Sequence, residues 1–222
     1  MIKTIIFDIG NVLMDFNFQI CFRAYAPDEE TYQKIVKATV QSPVWAEFDR
    51  GLWTDEEILE GFIKNDPSIE SILRNMFERL EGIIKQRDYA IPWIRELKKS
   101  GYQVLVLSNF PKKVYELFQN EMTFLQEVDG GILSYQDQVI KPDKEIYNLL
   151  MSRYQLNPQE CVFLDDLKDN IKTAKELGMH TVLFTTKEEA QIYADKANEL
   201  EQEYIYLTKN ELIITADLQD IM

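Results

Sequence analysis

Four positions of this chain combine polar side chains that can do chemistry together. In chain order they are Asp8, the pair Ser108–Asn109, Lys141 and the pair Asp165–Asp166. A carboxylate such as Asp8 can attack a phosphate ester, but the ester is a dianion. At about 4 Å and an effective dielectric near 20, each like-charged pair costs about 4 kcal/mol. Such an attack therefore needs positive charge close by.

A metal ion held by an acidic cluster and a lysine side chain are the two predicted sources of that positive charge. Asp165 and Asp166, together with Asp8, form the oxygen-rich set that Mg²⁺ prefers, and the ion would polarise the phosphoryl group. Lys141 adds a point charge, and the Ser108 hydroxyl holds a phosphoryl oxygen. We therefore predict Asp8, Ser108 and Lys141 as catalytic residues, with an aspartyl-phosphate that water later hydrolyses.

Short apolar runs precede most of these positions and predict buried strands. The runs cover residues 4–7, 104–107, 161–164 and 181–184. Helical patterns cover residues 91–100, 143–154 and 168–177. Short strands alternating with helices predict an α/β fold, a parallel sheet with helices on both faces. Because ligands bind at the carboxyl ends of such strands, Asp8, Ser108 and Asp165 should meet in one site.

The segment between the first two strands has helical rather than strand periodicity. Its regularly spaced apolar residues include Phe22, Tyr25, Ile35, Val36, Phe48, Ile58, Leu59, Phe62 and Ile63. Thr54 and Glu57 have the spacing of a capping box. We interpret residues 17–89 as a small helical cap, with 1–16 and 90–222 as the core. The β-branched runs within 203–222 are consistent with an edge hairpin.

Taken together, these motifs resemble the haloacid dehalogenase-like hydrolase superfamily. Its four motifs occur in this order, and its helical cap is inserted after the first. The segment DRGLWTDEE (49–57) and the DIGN form of the first motif look like a subgroup containing small sugar-phosphate phosphatases. The resemblance implies a Rossmann-like core and a Mg²⁺ site. Asp8 would be nucleophile and ligand, the Gly10 carbonyl oxygen a second ligand, and Asp166 with Asp165 the rest of the protein shell.

One position departs from the phosphatase pattern. The family's second aspartate, the general acid and base, lies two residues after the nucleophile, and here that residue is Gly10. Positioned acid–base catalysis is worth about 10²–10⁴-fold. Three explanations stay open: a substrate with a good leaving group, such as an anomeric sugar phosphate; another carboxylate, with Asp15 the nearest in sequence; or a chain that chiefly binds or signals.

Other interpretations of the same residues stay open as well. A haloacid dehalogenase attacks carbon without a metal, and paired acids would only hinder its anionic substrate. Ser108–Asn109 is also compatible with a helix N-cap before Pro111. Arg50, the one cation beside Trp45 and Trp53, is predicted to contact substrate together with Ser108, Asn109 and Lys141. Its alternative role is purely structural.

Composition limits the partners. The chain has 222 residues, a formal charge of −14, 45% apolar residues and 12% aromatics, which indicates a globular protein. So acidic a surface disfavours nucleic acid and anionic lipid, and a small phosphorylated metabolite is the expected partner. Cys21 and Cys161 are expected to be buried free thiols, and the absence of a leader or membrane-spanning pattern predicts a cytoplasmic protein. Oligomeric state cannot be inferred from the sequence.

Overall fold

A five-stranded parallel sheet lies at the centre of the structure, a computed structural model that describes residues 2–190. The strands are β1 (Thr4–Phe7), β2 (Met14–Phe16), β3 (Ile84–Gln86), β4 (Gln103–Ser108), β5 (Gly130–Leu133), β6 (Cys161–Asp165) and β7 (His180–Leu183). The order in the large sheet is β5–β4–β1–β6–β7, and all its pairs are parallel. The predicted α/β fold class is confirmed, and all four predicted strands are present.

Ten α-helices have both ends within residues 2–190, five of them before β3 and five after it. They are α1 (Phe18–Tyr25), α2 (Glu29–Ala38), α3 (Pro43–Arg50), α4 (Asp55–Asn65), α5 (Glu70–Arg79), α6 (Ala90–Lys99), α7 (Lys112–Phe118), α8 (Ser134–Asp137), α9 (Lys144–Tyr154) and α10 (Lys168–Glu176). Short 3₁₀ turns occupy Pro67–Ile69, Gln119–Glu121, Thr123–Gln126 and Pro158–Glu160. The three helices predicted for the core are α6, α9 and α10.

The central strand β1 is buried along its whole length because apolar layers cover both faces of the sheet. Phe7 lies opposite Val106 of β4 and opposite Leu164 of β6. The carboxyl ends of these three strands therefore reach the same edge of the sheet. That edge is where the predicted chemistry should be found.

Strand β5 was not predicted from the sequence, because its first two residues are Gly130 and Gly131, which look like a turn. Both have positive φ, +142° and +150°. A Cβ on Gly131 would lie 2.2 Å from the Val106 carbonyl oxygen, and one on Gly130 would lie 2.4 Å from the Tyr154 hydroxyl. Glycine is present here because the neighbouring backbone and ring approach too closely for any side chain.

Five helices, α1 to α5, lie between β2 and β3, which pair with each other as an antiparallel ribbon. The Thr54 side chain accepts from the Glu57 N–H and the Glu57 carboxylate accepts from the Thr54 N–H, so the predicted capping box is confirmed. Aromatic rings fill the interior: the Phe48 ring centroid lies 5.4 Å from those of Trp45 and Phe77. We keep the division into a cap (17–89) and a core (1–16 and 90–222) as a proposal.

Two smaller expectations can be compared with the structure, and a third cannot. Cys21 and Cys161 are buried free thiols, as expected. No helix within residues 2–190 has the length and apolar character needed to cross a membrane. The predicted hairpin within 203–222 lies outside the described residues.

Candidate active site

Three buried charged side chains meet at the carboxyl edge of the sheet. Asp8 follows β1, Asp165 ends β6, and Lys141 comes from the loop before α9. The Lys141 ammonium lies 2.8 Å from Asp8 Oδ1 and 2.7 Å from Asp165 Oδ2, and all three residues are buried. Asp8 and Asp165 are 133 and 24 residues away from Lys141 in the chain. The fold therefore brings together residues that are far apart in sequence, as the sequence predicts.

Asp165 is held rigidly by its surroundings. Asn170 Nδ2 donates to both of its carboxylate oxygens at 3.0 Å, and the Leu167 N–H donates to Oδ1 at 2.8 Å. With Lys141 on Oδ2, both oxygens are already engaged. Asn170 thus orients Asp165.

Asp166 is the more open of the two adjacent acids. It is only partly buried, and its Oδ2 accepts from Asn11 Nδ2 at 2.8 Å. Asp8, Asp165 and Asp166 each offer an oxygen, and these oxygens lie within 4.8 Å of one another. A set of carboxylate oxygens with no nitrogen or sulfur suits a hard cation such as Mg²⁺. The residues present therefore fit the predicted metal.

Burial and charge shift the pKa values of this cluster. Burial raises the pKa of Asp8 to about 7, although Lys141 opposes the shift and Asp165 adds to it. Burial alone would lower the pKa of Lys141, but the Asp165 and Asp8 carboxylates more than offset this, so its pKa lies above the usual range. Burial likewise raises the pKa of Asp166, which Asn11 partly counters. Desolvation is therefore the largest cause of the raised pKa values of Asp8 and Asp166.

Ser108 and Asn109, at the end of β4, have different positions in the site. The Ser108 hydroxyl is buried beside Asp8 and lowers the pKa of that carboxyl by hydrogen bonding. Both polar atoms of the Asn109 carboxamide are bound to the Lys141 backbone: Oδ1 accepts from its N–H at 2.7 Å and Nδ2 donates to its carbonyl at 2.9 Å. Asn109 therefore positions the lysine. Helix α7 begins at Lys112 after Pro111, so Ser108–Asn109 is not an N-cap pair.

The end of α3 rests against the core at this same edge. Ser134, the fully buried first residue of α8, accepts from the Phe110 N–H at 2.8 Å and donates to the Asp49 carbonyl oxygen. A Cβ on Gly51 would lie 2.8 Å from the Tyr135 Cα, so only glycine allows this approach. These contacts place residues 49–51 beside the ends of β4 and β5.

Arg50 lies at the boundary between α3 and the loop that carries Lys141. Its guanidinium is mostly buried, 3.4 Å from Glu47 and 3.8 Å from Asp143. Asp143 is two residues beyond Lys141. Arg50 is therefore near the site, and its contact with substrate stays a prediction.

Asp15, the nearest alternative carboxylate in sequence, is directed elsewhere. Its Oδ1 accepts from Arg87 Nε at 2.7 Å across the β2–β3 ribbon. Arg87 also donates to the Tyr89 hydroxyl at 2.6 Å. Asp15 is thus part of a structural network between β2 and the chain after β3.

Sequence reasoning did not assign Asn11, Asp49 or Ser134. Asn11 follows Gly10 in the first motif and reaches Asp166 because the chain turns back at a positive φ of 55°. In the sequence Asp49 is only part of the DRG segment, since no local pattern shows that α3 ends against the core at the edge of the sheet. Ser134 directly follows β5, the strand that the two glycines conceal in the sequence.

Comparison with known proteins gives related chains of several sizes. The chain is 30% identical over 192 residues to acyl-CoA dehydrogenase family member 10 of Mus musculus, covering 81% of this chain but 18% of that protein. It is 25% identical over 178 residues to the sesquiterpene phosphatase astK of Aspergillus oryzae, covering 80% of this chain and 87% of that protein. The chain thus spans about a fifth of the first relative and most of the second.

Solved structures share the fold. A haloacid dehalogenase family enzyme from Bacteroides thetaiotaomicron, solved with magnesium and inorganic phosphate, superposes with a TM-score of 0.66 at 22% identity. The match covers 84% of this chain and 95% of that one. In addition, the family model for haloacid dehalogenase-like hydrolases matches residues 2–178. The chain therefore belongs to the haloacid dehalogenase-like hydrolase family.

Proposed function

We propose that this chain is a Mg²⁺-dependent phosphatase that hydrolyses a small phosphorylated metabolite, such as a sugar phosphate, through an aspartyl-phosphate on Asp8. The observation that carries the proposal is the buried cluster in which Asp8, Asp165 and Asp166 offer oxygens within 4.8 Å of one another beside Lys141. A phosphatase among the relatives, and magnesium with phosphate in a structure of the same fold, support it.

The residues of the chain have separate tasks in this proposal. Asp8 is oriented by the Ile9 N–H, which donates to its Oδ1 at 2.7 Å, and its other oxygen attacks phosphorus. The Ser108 hydroxyl and the Lys141 ammonium bind phosphoryl oxygens, and Asn109 fixes the lysine backbone. Arg50 contacts the substrate from α3.

Asp8, Asp166 and the Gly10 carbonyl oxygen would hold the metal, with Asp165 completing the protein ligands. A bound Mg²⁺ supplies the positive charge that lets a carboxylate approach a phosphate dianion. The remaining task of the protein is to orient the carboxylates. Asn170 fixes Asp165, and Asn11 fixes Asp166.

The test is phosphate release from a panel of phosphomonoesters that includes p-nitrophenyl phosphate. We expect release that requires both Mg²⁺ and Asp8, so that a chelator or Asp8→Asn abolishes it. Asp169→Asn is the matched control, because this exposed acid lies near the cluster but outside it. Turnover of haloacids that survives chelation would favour the dehalogenase alternative. No release from any ester, with Mg²⁺ still bound, would favour a binding protein.

A further inference from the structure

A phosphatase of this kind needs a proton donor where Gly10 offers none. The leaving oxygen departs on the side of phosphorus opposite to Asp8, so a donor must reach the site from across the bound phosphate. A side chain that lies beyond the carboxyl edge of the sheet would approach the phosphate from that opposite side. The donor must come within hydrogen-bond reach of that oxygen, about 2.6–3.2 Å.

The Asp49 backbone is fixed at such a place. The buried Ser134 hydroxyl holds its carbonyl oxygen, and the same hydroxyl binds the N–H of Phe110, two residues beyond Ser108. On the next residue, Arg50 approaches Asp143, two residues beyond Lys141. Asp49 is therefore held between the two segments that carry Ser108 and Lys141.

The Asp49 carboxyl group has no other evident task. Within residues 2–190 no hydrogen bond or ion pair engages its side-chain oxygens, in contrast to Asp15, which is bound to Arg87. The charges of Lys141 and Asp8 nevertheless act on its pKa, so the Asp49 carboxyl group lies within electrostatic range of the cluster. Burial raises the pKa of Asp49 to about 8, with Lys141 opposing and Asp8 reinforcing the shift, so the group is protonated at neutral pH.

We propose that Asp49 is the catalytic general acid and base that replaces the missing aspartate at position 10. This inference rests on the proposed phosphatase function. In the first step an Asp8 oxygen bonds to phosphorus, the bond to the ester oxygen breaks, and the Asp49 carboxyl gives that oxygen its proton, releasing an alcohol. In the second step the Asp49 carboxylate takes a proton from water. The water oxygen then bonds to phosphorus, and the bond to Asp8 breaks. Phosphate leaves and both carboxyl groups return to their starting states.

The decisive comparison is Asp49→Asn assayed on two esters in the presence of Mg²⁺. An alkyl phosphate needs its leaving oxygen protonated, so its kcat/KM should fall about 10²–10⁴-fold. p-Nitrophenolate leaves without a proton, so p-nitrophenyl phosphate should show a fast burst followed by slow turnover. Acid-quenched protein should then carry a phosphoryl group on Asp8, detected by mass. Glu56→Gln, which neutralises an exposed acid on α4, is the matched control and should behave as wild type.

A rescue experiment tests the same proton transfer by restoring an aspartate at position 10. A Cβ at Gly10 meets nothing within 4 Å, so a side chain can start there without a backbone clash. The double variant Gly10→Asp, Asp49→Asn should recover turnover of the alkyl phosphate and lose the accumulated phosphoenzyme. The proposal is overturned if Asp49→Asn matches Glu56→Gln, or if it slows both esters equally without a phosphoenzyme. If wild type releases no phosphate at all, the phosphatase function fails, and that result is distinct.

Discussion

At the scale of single residues, the main feature of the site is an excess of buried negative charge. Asp8, Asp165 and Asp166 carry three potential charges against the one on Lys141. Desolvation disfavours the ionised forms, which is why burial raises the pKa of Asp8 to about 7. A divalent cation would neutralise the negative charge that Lys141 does not balance. The apo protein should therefore gain stability when the ion binds.

This argument predicts a thermal shift with Mg²⁺ alone, without any substrate. At a concentration of about 100 times Kd the ion stabilises the folded state by about 2.7 kcal/mol, or about 5–11 °C in Tm for a chain of this size. Asp8→Asn and Asp166→Asn should each greatly reduce the shift, because each removes a ligand. Asp169→Asn should retain it. A full shift in Asp166→Asn would remove that residue from the ligand set.

How far the site could be predicted depends on how each residue reaches it. Asp8, Ser108 and Asp165 were predictable because they end buried strands, and parallel pairing brings strand ends together. Asn11 and Asp49 were not. Their places depend on a backbone turn and on a helix packing against the core, and neither leaves a periodic pattern in the sequence.

At the scale of elements, β5 shows how packing can override local propensity. Gly130–Gly131 favours a turn, yet the pair forms an edge strand beside β4. The Tyr154 hydroxyl accepts from the Gly131 N–H at 2.7 Å and donates to its carbonyl at 3.2 Å. These two hydrogen bonds satisfy the N–H and the carbonyl oxygen of Gly131 at the sheet edge. The remaining core strands were predictable because they are continuous apolar runs.

The glycine requirement in β5 can be measured as stability. We expect Gly131→Ala to lower the free energy of unfolding by about 3 kcal/mol or more, since backbone strain adds to overpacking against Val106. Urea unfolding measures the change. Gly10→Ala is the control, because its Cβ meets nothing and its φ is not positive, and it should change stability by less than about 0.5 kcal/mol. Equal losses in both variants would contradict this account of β5.

At the scale of the whole molecule, two groups of polar contacts help to tie the five-helix segment to the core, in addition to the apolar cluster that both share. One is the β2–β3 ribbon, which Arg87 ties to Asp15. The other is the α3 end on Ser134, with Lys113 of α7 paired to Asp55 of α4 at 3.0 Å beside it. A cleft of about 320 Å³ opens next to this second contact and is lined by both segments. Lys112 and Lys113 line it together with Glu116 and Asp55, with which they form ion pairs, so these four charges balance in a chain of net charge −14.

The second contact links stability with catalysis, and Ser134→Ala tests that link. The substitution leaves the Phe110 N–H and the Asp49 carbonyl oxygen without their partner, which should cost about 1–3 kcal/mol of stability. Because it also frees the backbone of Asp49, turnover should fall more for an alkyl phosphate than for p-nitrophenyl phosphate. Urea unfolding and the two-ester assay measure the two effects.

Tyr154→Phe separates a loss of stability from a loss of positioning. It also leaves a backbone N–H unpaired, that of Gly131, but at the sheet edge away from α3. It should therefore destabilise the protein by a similar amount, about 1–3 kcal/mol, and leave the ratio of the two ester rates unchanged. If both variants changed that ratio alike, the effect of Ser134 would be general loosening of the fold. If only Ser134→Ala changed it, contact between α3 and the core is what holds the proton donor over the phosphate.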